Sequence, residues 1–130
     1  MKEVKLMGEY PVYQTELPKS KTSCKTIDDV IAKLREKMDA SGLTVFIAIY
    51  DDYGRTHAIN GPIGEGIEGA KELLFCFGES LPFPQALALR PRSIGIADMG
   101  DHFFITFLKS PEVYAMADVV LWVKALADKK

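Results

Sequence analysis

The sequence predicts an α+β fold: a mostly antiparallel sheet of about five strands with helices packed on one face, in the order β-α-β-β-α-β-β-α. Three observations carry this. Residues 26–42 have helical spacing of apolar side chains between a capping threonine and a stopping glycine. Two apolar runs at 93–97 and 102–108 flank the short turn Asp98-Met99-Gly100-Asp101, and a hairpin demands antiparallel pairing. The run Leu73-Leu74-Phe75-Cys76-Phe77 reads as a buried strand that stops at Gly78 and passes into a short helix opened by prolines.

In order along the chain, residues 9–17 alternate. Tyr13, Thr15 and Leu17 fall on one side, and Val12, Gln14 and Glu16 on a wetter one. Pro11, lacking an amide donor, favours the start or edge of a sheet. Pro18 to Lys25 is a lysine-rich linker, either a solvated loop or an anion-binding lip. Thr26 caps the first helix with Asp29 placed for a capping box, and Asp28 and Asp29 suit the positive end of the helix dipole. Ile27, Val30, Ile31, Leu34 and Met38 form its apolar stripe, and Gly42 supplies a left-handed stop. Leu43 to Tyr50 is nearly continuous in apolarity, which predicts a central strand covered on both faces. Residues 51–69, with Gly54, Gly61, Gly64, Gly66 and Gly69, read as the longest irregular segment.

A strand at about 71–78 and a short helix near 82–89 precede the hairpin, where Gly95 and Ala97 leave one side bare for something bulky to lie close. Ser110-Pro111-Glu112 opens the last helix. Between 113 and 123 that helix is apolar nearly all round, so one side covers the sheet and the other calls for a partner. That predicts a homodimer contact centred on Trp122, against the alternative of a deep intramolecular position.

Length and composition bound the answer. One hundred and thirty residues make one domain, 1–130, which needs no disulfide or metal staple. At 48% hydrophobic and 26% charged the chain is globular. A net charge of -2 gives no pull toward nucleic acid or anionic membrane, and no apolar run approaches a membrane span. Two cysteines are too few for a secreted disulfide framework, and the first residues lack a signal-peptide core, so a cytoplasmic protein is expected.

Chemistry is only hinted at. Gly64-Glu65-Gly66-Ile67-Glu68-Gly69 matches the letters of a dinucleotide fingerprint, but no strand leads into it, a strand follows it, and two carboxylates would repel a pyrophosphate. Cys76 in an apolar strand is an inert core thiol unless His57 or His102 stands beside it as base. Cys24, His57, Cys76 and His102 lack the paired spacing of a zinc site. Asp51 and Asp52 end a strand; they could bind a cation or act as acid and base, or simply face water. Arg90 and Arg92, either side of Pro91, could clamp an anion bidentately or lie solvated.

Several short motifs resemble a small bacterial family known only as domain of unknown function 302. They are the helix start Thr26-Ile27-Asp28-Asp29, the turn Gly42-Leu43-Thr44-Val45-Phe46, Leu73-Leu74-Phe75-Cys76-Phe77-Gly78, Leu89-Arg90-Pro91, and Ser110-Pro111 after the hairpin. The likeness spans about residues 9–126 and implies a compact α+β fold, often dimeric, with no established activity. No catalytic residue carries over. Two places depart from the family: Glu79-Ser80 stands where Asn-Pro commonly follows Gly78, and Asp51-Asp52 where an acid-histidine pair is usual.

Together these readings predict a non-catalytic homodimeric module that binds a small ligand or a partner, with no cofactor and no metal. The expected pocket lies between the Gly-rich loop, the turn at Gly78, Glu79 and Ser80, and Arg90 and Arg92, with Asp51 and Asp52 also facing ligand. The alternative is a small enzyme or redox sensor using Cys76.

Overall fold

The computed structural model describes residues 1–77, 80–111 and 113–129, without the side chains of Val113 and Tyr114. Its elements are β1 (Lys2–Leu6), β2 (Tyr10–Pro18), α1 (Ile27–Ser41), β3 (Val45–Tyr50), α2 (Asp52–Ala58), β4 (Gly69–Cys76), β5 (Arg92–Asp98), β6 (His102–Leu108) and α3 (Val113–Lys124). Short 3-10 turns lie at Lys19–Lys21 and Pro84–Leu89. The described strands form one sheet in the order β1-β2-β6-β5-β4-β3, and every neighbouring pair is antiparallel.

Local chemistry sets the covered layer. Thr26 accepts from the Asp29 amide at 3.1 Å while Asp29 accepts from the Thr26 amide at 3.1 Å, closing the capping box. Gly42 ends α1 at φ 72°, a conformation that other residues enter at a cost. All five expected stripe residues are buried, and they meet Leu73, Phe75, Ile94, Ile96, Phe103, Ile105 and Phe107 of the sheet. Met116, Val119 and Val123 of α3, and Leu126 just beyond it, join the same core. Burying each large apolar side chain stabilises the layer by roughly 1.5–3 kcal/mol. At its end the chain is tied back: Asp128 accepts from the Ser23 amide at 2.7 Å, the Ser23 hydroxyl at 2.6 Å and the Lys33 ammonium at 2.8 Å.

The α+β architecture, the hairpin and the one-sided helix layer match expectation. Four features correct it. There is an additional strand, β1, joined to β2 through Met7 and Gly8, both at positive φ (54° and 76°), as a tight hairpin demands. The segment 51–69 contains α2, because Asp51 caps it, its carboxylate accepting from the Gly54 amide at 2.8 Å. β4 begins at Gly69 and ends at Cys76, two residues earlier than expected. Finally, β3 is not central. Among the described residues it pairs only with β4 and forms an edge of the sheet, with Val45 65% exposed and Ile47 48% exposed.

Candidate functional site

Strand alternation gives the sheet two faces. Even-numbered β2 and β6 residues and odd-numbered β5 residues point away from α1 and α3. The register aligns Lys2, Gln14, Thr106, Gly95, Glu72 and Tyr50 in one row across all six described strands. Neighbouring strands lie about 4.8 Å apart, so Gln14 and Glu72 stand roughly 14 Å from each other across this row. Ser93, Gly95, Ala97, Leu74 and Thr106 on this face are half-buried in the lone chain. Among the described residues no bulky neighbour fills the gap at Gly95: the atoms nearest an added Cβ are the Thr106 carbonyl oxygen at 3.5 Å and Cγ2 at 3.7 Å.

At the β1 end of the row lies a depression of about 350 Å³, lined by Met1, Lys2, Gln14, Thr15, Glu16 and Phe104. An ammonium, a carboxylate and an amide around an aromatic ring suit a small polar molecule. At the other end, the β3–α2 junction brings Asp52 to Glu72. Burial pushes the Asp52 carboxyl up to about 6, helped by its hydrogen bond to Glu72 and by that group's charge. This half-buried carboxyl therefore holds a proton into mildly acidic solution.

Among the described residues expected to share one pocket, Ser80 and Arg90 meet, while the glycine-rich loop and Asp51 and Asp52 lie elsewhere. Gly78 and Glu79 lie outside the described residues. The Ser80 carbonyl accepts from Arg90 Nη2 at 2.6 Å. Arg92 Nη2 donates to the Leu108 carbonyl at 2.8 Å, and its Nη1 reaches the Leu89 carbonyl at 3.4 Å. Both guanidinium groups thus pin backbone carbonyls around the β4–β5 connection. The glycine-rich loop enters β4 at Gly69, opposite Asp98, whereas Arg92 pairs with Phe75. Six residues of strand, roughly 20 Å, separate those ends. Asp51 is a helix cap, and Asp52 turns to Glu72.

The thiol reading fares similarly. Cys76 is half-buried at the Phe75–Arg92 end of the sheet. His57 stacks on Tyr53 with ring centroids 6.1 Å apart. His102 is held by Asp101 at 2.6 Å near the Asp98 end, which lies the length of a strand away from the thiol. On α3, Trp122 is half-buried against the core, while Leu121 is 63% exposed between exposed Asp118 and Lys124. Among the described residues, no three His, Cys, Asp or Glu side chains gather as a metal site, and no helix is long and apolar enough to cross a membrane.

The sequence had signalled part of the open face. Gln14 and Glu16 fell on the wetter side of their strand, and Gly95 and Ala97 on a bare one. Glu72 and Lys2 were missed, since partnership across a sheet depends on register, which only the folded chain supplies.

A single antiparallel sheet with α1 and α3 over one face and a polar row across the other defines a two-layer α+β protein. Residues 1–128 match the family described as Family of unknown function (DUF6858), and the chain belongs to that family. Its fold is similar to the crystal structure of the uncharacterized conserved protein DUF302 from Bacillus stearothermophilus: TM-score 0.55, 12% identity, 90% of this chain and 88% of that chain covered. At that identity the likeness establishes the fold. No curated protein matches the sequence.

Proposed function

We propose that this protein is a non-catalytic homodimeric module that binds a small ligand or a partner on the open face of its sheet. The observation behind this is the row Lys2, Gln14, Thr106, Gly95, Glu72, with a gap at Gly95, a depression at its β1 end and a carboxyl pair at its β3 end. An ammonium at one end and acid groups at the other, four strand spacings or roughly 19 Å apart, suit an extended polar ligand carrying both charges, such as a short peptide. The neutral amide and hydroxyl between them offer hydrogen bonds without charge.

The reading is of binding without chemistry because the one thiol on this face is not paired with an imidazole. Thermal unfolding in the presence of a panel of small anions, cations and zwitterions tests it. A zwitterion that raises the transition in the wild type and fails to do so in Gly95→Val supports the site. Gly95 is free of positive φ and its Cβ contacts would be ordinary, so valine fills the gap without backbone strain. No stabilisation by any member of the panel would remove the ligand from the proposal.

A further inference from the structure

We infer that β3 is the surface through which two copies of this chain join, the sheet continuing across a two-fold axis from one β3 to the other. The inference rests on the homodimeric reading above and names its interface.

The first ground is a mismatch between composition and burial. Val45-Phe46-Ile47-Ala48-Ile49-Tyr50 is uniformly apolar in the manner of a strand covered on both sides, yet in one chain it is an edge. Leu43, Val45, Ile47, Ile49 and Tyr50 each leave 46–65% of their surface in water. The core layer thins here: of β3, Phe46 packs against it, with the Arg35 guanidinium carbon of α1 3.9 Å from its ring centroid. An exposed, uncharged apolar edge is a template for another strand.

The second ground is that this edge suits its own copy. Every described pair in the sheet is antiparallel, and a two-fold axis through an edge generates an antiparallel pair automatically. β3 carries no charge, so self-pairing opposes no like charges. Five side chains at about half exposure offer on the order of 500 Å² per protomer, and two copies together reach the roughly 1,000 Å² that a specific interface needs. The α3 surface offers less, with Leu121 set between charged neighbours. β3 does carry a bulge between Phe46 and Ala48, which twists the edge and displaces Ile47 from register with β4. The bulge breaks the row of backbone groups without covering it.

The test is a charge swap at Ile47, which lies mid-strand and so beside its own copy near the axis. Sedimentation equilibrium is run on the full chain as wild type, Ile47→Lys, Ile47→Glu, an equimolar mixture of the two, and Leu121→Glu. Circular dichroism and thermal unfolding check that each variant is folded. A dimeric wild type, single variants associating about a hundredfold more weakly, and a mixture that regains the dimer mass are expected. The inference is overturned if folded Ile47→Lys and Ile47→Glu remain dimers. If Leu121→Glu alone releases monomers, the homodimeric reading stands and the interface lies on α3. A wild type that stays monomeric at all concentrations ends both.

Discussion

The sheet has two edges, and they are built by opposite rules. β1 reads Lys2-Glu3-Val4-Lys5-Leu6, with Glu3 paired to Lys109 at 3.1 Å, so three of its five positions carry charge. β3 carries none in six. Charge on an edge makes strand addition costly, because a partner strand must desolvate it. β1 is therefore guarded and β3 is open, although both present a row of backbone groups along one side. An edge strand gains nothing from continuous apolarity unless that surface is later covered, and the contrast locates where covering is expected.

The largest effect expected concerns how β3 is anchored. Phe75 pairs with Phe46 across the β3–β4 ladder and is 1% exposed. Phe75→Ala should lower stability by about 3–5 kcal/mol in urea unfolding, because the cavity opens under both strands. A loss below about 1 kcal/mol would mean that β3 is not held by the core, and the open edge would then be a frayed one. Next comes the covered layer, which Asp128 closes. The hydrogen bond and charge of Lys33, with the two bonds from Ser23, hold its carboxyl well below the usual carboxylate range. Its folded pKa lies under the unfolded 3.8, so its contribution is present above that value and fades as pH falls through the folded one. Asp128→Asn should melt earlier than wild type at neutral pH, with the two melting temperatures converging in strong acid.

The contrast between edges also explains what could be read without coordinates. α1 was legible to its ends because capping, stripe and stop are all local: Thr26, Asp29 and Gly42 act within a few residues. The hairpin was legible for the same reason, with Asp98 accepting from the Gly100 amide at 2.9 Å inside the turn. β3 was legible as a strand and misplaced within the sheet. Its apolarity is the same whether helices or another protomer cover it, so position in the sheet is not encoded in the strand alone. β1 escaped notice because Val4 is its only half-buried side chain. α2 hid behind Gly54, which weakens a helix and here leaves room beside the capping carboxylate of Asp51. The candidate site was legible in half: Gln14 and Gly95 show by alternation, whereas the meeting of Asp52 with Glu72 depends on α2 folding back over β4.

A smaller effect is expected where β3 gives way to α2. Asp52 titrates near 6 in the fold and near 3.8 unfolded, so the folded chain binds more protons between those values. Stability therefore falls as pH rises through that window, and the full deficit remains above about 6. Asp52→Asn keeps a donor for Glu72 and removes the charge. Solvent screening of this half-exposed pair reduces the gain to about 1 kcal/mol at pH 8, or roughly 3–5 °C in melting temperature. Below about pH 4 the variant and wild type should coincide; an equal gain at both pH values would show that the effect is not ionisation.

The smallest change in stability is expected at the guarded edge, and it bears most directly on the contrast. Lys2 and Lys5 are exposed, and Lys2 pairs with Gln14 while Lys5 pairs with Pro11. Replacing both by valine leaves the core untouched, so unfolding free energy should move by no more than about 0.5 kcal/mol. Association should change instead. With its lysines gone, β1 keeps Glu3 as its one charge and comes closer to β3, and a chain with two open edges can add copies at each end and grow without closing. Light scattering should then rise steadily with concentration for Lys2→Val/Lys5→Val, while the wild type should level off at the proposed closed dimer. Equal scattering from both proteins would show that the lysines of β1 do not guard it, and the difference between the two edges would lose most of its physical meaning.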